Sequence, residues 1–344
     1  MAKQIALIGA GRIGKVHAKA IDSVAGVQIR YVCDVHKPSA TALATQCNAT
    51  VTDVNQVFTD DTVDAVVIAS ATDTHAPLLR QCAEHGKAVF CEKPLDLDLA
   101  SARAAAFAIE ESGVLCALGF NRRFDPQFSR LQRRLARGDI GELETLIIIS
   151  RDPSPPPLDY IKVSGGLFRD MMIHDFDMAQ WILNEPVESV FATGSNLVDP
   201  EIGQAGDIDT ACVTLKTATG KIAMITNSRR AVYGYDQRIE AFGSNGMLQA
   251  LNNTETNLVF SGEPGIVSET PLHFFLERYQ DAYRLELEDF VAALESGSRP
   301  LANHNDGVRS LQLAEAAVAS LQSCLLYTSP SPRDQRGSRM PSSA

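Results

Sequence analysis

What most narrows the fold of this chain is its opening. An apolar run from Lys3 to Ile8 breaks into Gly9-Ala10-Gly11-Arg12-Ile13-Gly14 and continues as Ile13, Val16, His17, Ala20 and Ile21. A short apolar run followed by apolar positions three and four apart reads as strand, glycine turn and helix. The glycine spacing has a mechanical meaning. Gly9 permits the tight turn, Gly11 lets backbone amides approach a pyrophosphate, and Gly14 lets the helix pack closely on the strand. The start of such a helix, at Arg12 and Ile13, binds phosphate. A second strand, Val27 to Cys33, ends at Asp34, about 20 residues past the last glycine of the turn. An aspartate there accepts from both hydroxyls of an adenosine ribose and repels a 2′-phosphate, so the expected cofactor is NAD. His36 and Lys37, close by, leave some tolerance of NADP open.

The alternation continues through a helix near Ser39 to Cys47 and a strand from Asp64 to Ala69, whose run AVVIA suits burial on both faces. The polar loop Ser70-Ala71-Thr72-Asp73-Thr74-His75 then lies at the carboxyl end of a strand, where open α/β sheets bind ligands. Ser70, Thr72 and His75 are the candidate cofactor contacts; the plainer alternative is helix capping by Thr74. A helix from Ala76 to His85 and a strand from Ala88 to Cys91 lead to Glu92-Lys93-Pro94. A lysine that leaves a buried strand between a glutamate and a rigid proline is expected to be aimed, and Glu92 and Lys93 join the cofactor-contact candidates. A helix from Leu97 to Ser112, capped by Asp98, and a strand from Leu115 to Phe120 complete an α/β Rossmann domain over residues 1–120.

From Asn121 the rhythm changes. An amphipathic helix, Pro126 to Arg137, is followed mostly by strands: Glu144 to Arg151, Val187 to Thr193, Thr210 to Thr217, Lys221 to Asn227, Gln237 to Phe242 and Met247 to Leu251. Turns such as Ala218-Thr219-Gly220 and Ser244-Asn245-Gly246 imply hairpins. Residues 121–326 therefore read as an α+β domain with a largely antiparallel open sheet, one face under helices and the other free to pair with another subunit. The run DPSPPP, from Asp152, is a stiff loop. Helices from Phe274 to Leu294 and from Asp306 to Leu321, the second capped by Asp306, close the domain. After Leu326 the Ser-, Pro- and Arg-rich run 327–344 has no apolar period; it is expected to be disordered and resembles translated foreign sequence.

The densest acid–base chemistry lies in GGLFRDMMIHDFDMAQW, Gly165 to Trp181. If this is one helix started by the glycine pair, Asp170 and His174, four apart, stack on one face with Asp177 three further on. A carboxylate would then orient an imidazole. The plainer alternative has Asp170 serving the helix dipole while Asp175 and Asp177 face water.

Composition sets outer bounds. The 344 residues are enough for two cores, and 45% apolar with 21% charged residues fits a globular protein. No apolar run nears the roughly 20 residues needed to cross a bilayer. The N-terminus does not resemble a signal peptide, so a cytoplasmic protein is expected. A net charge of -11 argues against nucleic-acid or anionic-membrane partners. The seven cysteines show no CxxC spacing and read as reduced thiols, with no metal site expected.

Together GAGRIG, CEKP, GFNRRFDP and SGGLFRDMMIHDFDMAQW, with YGYDQR at Tyr233 to Arg238, resemble the Gfo/Idh/MocA oxidoreductase family, and within it the bacterial inositol-oxidising members. The resemblance runs from Lys3 to about Ser323. It implies NAD-dependent oxidation of myo-inositol to scyllo-inosose in a homotetramer joined through the open sheets. It places the catalytic groups on Lys93, Asp170 and His174, and polyol contacts on Arg123, Asp152 and Tyr235. On this view one of His174 and Lys93 takes the hydroxyl proton, and Asp170 fixes the imidazole. The family pattern also leads one to expect a strand after the last helix, where this sequence changes character. Two other readings fit the same motifs: a relative acting on another inositol isomer or an aldose, and a sensor that binds NAD or sugar without chemistry.

Overall fold

The computed structural model describes residues 2–263 and 265–328. Among the described residues, contacts form two compact units, one of residues 2–130 with Leu272–Leu311, the other of Leu131–Pro271 with residues 312–328.

The first unit opens with β1 (Lys3–Ile8), α1 (Arg12–Ser23), β2 (Val27–Cys33), α2 (Lys37–Gln46), β3 (Thr50–Val51), α3 (Val54–Thr59) and β4 (Ala65–Ile68). It continues with α4 (His75–Glu84), β5 (Ala88–Cys91), α5 (Leu99–Ser112), β6 (Cys116–Leu118) and α6 (Pro126–Ala136). All pairings in this sheet are parallel, in the order β3-β2-β1-β4-β5-β6. The order reverses between β1 and β4, the place where such sheets open a crevice for a dinucleotide. The central strands β4 and β5 are buried at every residue, as their unbroken apolar runs require. The short β3 and α3 have no counterpart in the sequence reading, being too short to show a period. The Asp98 carboxylate accepts from Ser101 N at 2.7 Å and starts α5 as expected.

The second unit contains β7 (Leu143–Arg151), the short helices α7 (Leu158–Ile161) and α8 (Gly166–Asp170), α9 (Ile173–Leu183), β8 (Val187–Ser195), α10 (Pro200–Gln204), β9 (Thr210–Thr217), β10 (Ile222–Ser228), β11 (Asp236–Gly243) and β12 (Gly246–Ala250). A separate two-stranded ribbon follows, β13 (Val259–Gly262) with β14 (Gly265–Ser268). The main sheet is antiparallel except where β10 runs parallel to β7. Alternation along β9 puts Ala211, Val213 and Leu215 in the core and Cys212, Thr214 and Lys216 outside.

Three more helices follow: α11 (Phe275–Arg278), α12 (Gln280–Ser296) and α13 (His304–Ser323). The contacts of Leu272–Leu311 group with the first unit, so α11, α12 and the start of α13 pack there. This differs from a contiguous 121–326 domain. The reason is visible in α12, whose Tyr283 and Phe290 stack edge-on against His17 of α1 and Phe90 of β5. The start of α13 also corrects an expectation. Asn303 caps it, accepting from Asn305 N at 3.0 Å, while Asp306 reaches back to Asn303 N at 2.9 Å, so Asp306 is the second half of a capping box. At the C-terminus Tyr327 and Thr328 pair with β8 as β15 (Tyr327–Thr328), which corrects the expected onset of disorder at 327 and supplies a short strand after the last helix. The remainder of the expected tail, 329–344, lies outside the described residues. All seven cysteines are free, and among the described residues no helix is long and apolar enough to cross a membrane.

The core of the first unit also holds an unusual acid. Glu286 on α12 is 1% exposed, and among the described residues neither of its carboxyl oxygens has a hydrogen-bond partner. Burial, with the Glu92 carboxylate nearby, pushes its carboxyl well above the usual range. The folded state therefore holds this proton more tightly than the unfolded chain. Stability from this group is full below the ordinary glutamate range and falls as pH rises through neutrality, by up to about 1.4 kcal/mol per pH unit. Replacing the acid with its amide, Glu286→Gln, should leave stability at pH 5 nearly unchanged and raise it at pH 8 by at least about 1.4 kcal/mol. Denaturant titrations of both proteins at the two pH values check this.

Candidate functional site

The glycine turn has the geometry that its spacing predicted. Gly9 has φ 109°, and a Cβ there would lie 2.3 Å from the Ala69 carbonyl oxygen. At Gly14 a Cβ would lie 2.0 Å from the Gly9 oxygen, so only glycine lets α1 approach β1 this closely. Gly11 is the opposite case: a Cβ would meet nothing within 4 Å, so the space above the turn is open. Gly11 is also the N-cap of α1, with no side chain capping it and no acidic residue in the first turn. The amides at Arg12 and Ile13 thus begin a twelve-residue helix whose own first turn carries no acidic residue.

Asp34 stands at the end of the neighbouring strand β2. Its carboxylate accepts from Ala10 N at 2.6 Å and from His36 N at 2.7 Å, one bond to each oxygen. Each oxygen keeps a second acceptor site, which suits a pair of ribose hydroxyls. His36 is turned to its own helix, with Nδ1 2.8 Å from Ser39 Oγ. The residues of this crevice fit a dinucleotide by its phosphates and its ribose.

At the end of β4 the Thr74 hydroxyl donates to Ala71 O at 2.6 Å, so the Ser70 hydroxyl, 2.6 Å away, donates to Thr74. Thr74 therefore tightens the loop and makes no side-chain cap for α4. Thr72 starts a single 3-10 turn and is half-buried. His75 departs from its expected role as a cofactor contact. It is 1% exposed, with Nδ1 2.7 Å from Pro94 O and Nε2 3.2 Å from Ser70 O. Burial lowers its pKa, against the pull of the two carbonyls, and the neutral ring donates through Nδ1 to the closer oxygen. His75 ties the loop after β4 to the turn after β5.

The turn after β5 carries Lys93. A second buried histidine holds it from the other side: His17 Nε2 lies 2.7 Å from Glu92 Oε1, while Glu92 Oε2 accepts from Lys93 N at 3.1 Å. Burial alone would raise the Glu92 carboxyl, but the hydrogen bond from His17 and the charge of Lys93 outweigh it and hold it below the ordinary value. Glu92 is thus an ionised buried strut, 8% exposed, and its expected cofactor contact is replaced by a grip on the lysine's backbone. His17 did not stand out as functional in the sequence. The available signal was a histidine inside the apolar stripe of α1.

Arg123 is also buried, at 5% exposure. Its guanidinium lies 3.1 Å from Asp306 and donates to Leu301 O at 2.8 Å. It fastens the start of α13, a structural task beside the polyol contact implied by resemblance.

In the second unit the segment Gly165 to Trp181 is not one helix. It breaks at Met171-Met172, where Met172 N bonds to Leu167 O at 2.9 Å, five residues back. This wider turn ends α8 at Asp170 and starts α9 at Ile173, so Asp170 and His174 belong to two separate short helices. Asp175 and Asp177 are buried and do not face water. The Asp175 carboxylate accepts from Ser150 Oγ at 2.5 Å and Asn227 Nδ2 at 2.9 Å, side chains that neighbour each other in register on β7 and β10. This pins the first turn of α9, and with it His174, to the sheet. Asp152 follows β7 and Tyr235 precedes β11, and the antiparallel register that pairs Arg151 with Asp236 sets them opposite one another. His174, Asp152 and Tyr235 therefore gather at one end of this sheet.

Comparison with known proteins agrees with both units. Residues 3–120 match the oxidoreductase family with an NAD-binding Rossmann fold, and residues 128–249 match the GFO/IDH/MocA C-terminal domain. An inositol 2-dehydrogenase of Rhizobium meliloti (strain 1021) is 48% identical over 322 residues, 93% of this chain and 97% of that protein. A crystal structure of a myo-inositol dehydrogenase from Corynebacterium glutamicum ATCC 13032 superposes with a TM-score of 0.92 at 42% identity, covering 96% of this chain and 100% of that one. A scyllo-inositol dehydrogenase from Lactobacillus casei, solved with bound NAD(H) and scyllo-inositol, gives 0.89 at 26% identity, covering 96% and 100%. With the open glycine turn and Asp34 at the end of β2, these matches make the chain a member of the Gfo/Idh/MocA family of NAD-dependent oxidoreductases.

Proposed function

We propose that the protein oxidises myo-inositol to scyllo-inosose, with Lys93, Asp170 and His174 as its catalytic groups. The observation that carries this reading is the Lys93 turn, held from two sides by the buried His17–Glu92 and His75–Pro94 contacts. A lysine whose backbone is fixed in this way, at the carboxyl end of a strand beside the cofactor crevice, is suited to donate to one defined oxygen.

A secondary alcohol yields hydride readily only as its hydroxyl proton departs, so the chain must supply a base and a stabiliser of the developing alkoxide. His174, at the start of α9, serves as the base, and Asp170 supports the imidazolium. Lys93 donates to the reacting oxygen and lowers the energy of the alkoxide. Bound NAD supplies the hydride acceptor. Gly9, Gly11, Arg12, Ile13 and Gly14 would hold its pyrophosphate and Asp34 its adenosine ribose, with Ser70 and Thr72 as further contacts from the loop after β4. Asp152 and Tyr235 bind polyol hydroxyls beside His174. The relatives include both myo- and scyllo-inositol enzymes, and the 48% identity to an inositol 2-dehydrogenase favours the axial hydroxyl of myo-inositol as the group oxidised.

Assembly is proposed as a homotetramer through the uncovered face of the second sheet. Phe191, Thr214 and Met224 lie in register across three strands of that face, with Ile222 and Phe242 also exposed on it. The seven free thiols suit a reducing, cytoplasmic setting.

NADH formation across myo-inositol, scyllo-inositol and simple aldoses tests the substrate. The highest kcat/KM is expected for myo-inositol, and no turnover of any inositol would overturn the reading in favour of a sensor. Lys93→Ala and His174→Ala should each lower kcat by at least about a hundredfold, the usual scale for general acid–base groups. Asp34→Ser, which removes the charge facing the ribose, should shift the NADP to NAD preference toward NADP by about tenfold or more, measured as the ratio of kcat/KM values.

A further inference from the structure

Since the helix breaks at Met171-Met172, something other than helical stacking has to aim Asp170. The structure shows what holds it. Tyr160, in the short helix α7 that follows the proline run, donates its hydroxyl to Asp170 Oδ1 at 2.8 Å. On the other oxygen, Arg229 Nη1 lies 3.8 Å from Oδ2. Arg229 is 1% exposed, among the largest fully buried side chains of the chain, and its other amino group donates to Asp207 Oδ2 at 3.4 Å.

Asp207 does a second task with its other oxygen. Oδ1 accepts from Leu167 N at 2.9 Å, at the start of α8. A Cβ at Gly166 would lie 2.8 Å from that oxygen, so glycine is what lets Asp207 reach the helix start. The two members of one ion pair, a buried guanidinium and a partly exposed carboxylate, therefore grip the two ends of a five-residue helix, Asp207 at its first turn and Arg229 at its last residue. The support is itself fixed. Arg229 N donates to Asp209 O at 2.9 Å, and the fully buried Asp209 carboxylate gathers the amides of Leu197, Val198 and Asp199. Burial acts to raise the Asp209 carboxyl, yet these amide bonds hold it below its ordinary value, so it is ionised and the loop bearing Asp207 is locked.

We propose that Arg229 and Tyr160, with Asp207 behind them, are positioning residues for Asp170: they fix the carboxylate that supports His174, and so set turnover without touching substrate or cofactor. A buried guanidinium costs far too much desolvation to be retained as filler, and an alkyl side chain of the same volume would pack as well. What arginine adds here is a rigid planar fork long enough to span two carboxylates at once, which lysine cannot copy. This proposal rests on the catalytic role given to Asp170 above.

The test uses the full chain with Tyr160→Phe, Asp207→Asn and Arg229→Lys. Tyr160 is 47% exposed, so its substitution leaves the core untouched and guards against a simple failure to fold. Two readouts are taken. Inositol oxidation should show kcat lowered about tenfold for Tyr160→Phe and about tenfold to a hundredfold for the other two, with KM for inositol and the NAD dissociation constant within about twofold of the parent. Amide hydrogen exchange, which needs no turnover, should rise at least about tenfold across residues 166–172 in Asp207→Asn and Arg229→Lys, with the sheet strands unchanged. Unchanged exchange there overturns the clamp whatever the substrate proves to be. Faster exchange with kcat unaltered overturns its role in positioning. A parent protein that oxidises no inositol but still shows faster exchange in the variants overturns the catalytic reading and reduces the clamp to a structural device.

Discussion

The hydrogen bond between His17 and Glu92 is the contact on which the cofactor half depends. It joins the helix that follows the glycine turn to the strand that ends in Lys93, two elements separated by 75 positions in sequence. Both partners are buried, so breaking it would leave a charge and an imidazole without water to replace the bond, a cost of several kcal/mol. The neighbouring Glu286, kept neutral by its burial, avoids adding a second negative charge to the same pocket. One ionised carboxylate can then use its two oxygens differently, one on the helix that follows the glycine turn and one on the backbone of the lysine. The two features that matter most for NAD chemistry are mechanically one piece.

The second unit meets the same need with the same device. Asp175, fully buried, joins a helix to two sheet strands and holds the residue before it in sequence, His174. The role proposed for His174 needs an imidazole held in place, and a helix start fastened to a sheet holds it more closely than a loop. Asp209 does the like for the loop that bears Asp207. In each case a carboxylate is removed from water and paid in hydrogen bonds from elements distant in sequence.

Much of this was legible in the chain because it is local. The strands β1, β2, β4, β5 and β9 announce themselves by runs or alternation of apolar residues, and the crowding that demands glycine at Gly9 and Gly14 follows from the motif's spacing. What was not legible is long-range. Nothing in the sequence around His17 or His75 names Glu92 or Pro94 as a partner, so a buried histidine could be read only as packing or, in the case of His75, as a ligand contact. Arg123 posed the same difficulty, since nothing around it in the sequence names the distant Asp306 as its partner. The placement of α12 with the first unit depended on rings of Tyr283 and Phe290 finding His17 and Phe90, which periodicity cannot reveal.

The break at Met171-Met172 is the most instructive miss, because the local rule pointed the wrong way. Leu, Phe, Arg, Asp and Met are ordinary helix residues, and nothing in MMIH forbids a continuous helix. The five-residue bond from Met172 to Leu167 arises because each half has a separate anchor: α8 is gripped at both ends by Asp207 and Arg229, while α9 is tied through Asp175 to β7 and β10. Two short helices fixed independently to the frame need not share one helical phase, and the extra residue absorbs the mismatch. The two methionines suit that position, since their unbranched side chains fill irregular space and both are buried. A continuous helix would have tied the direction of Asp170 to that of His174; the break lets each be set by its own partners.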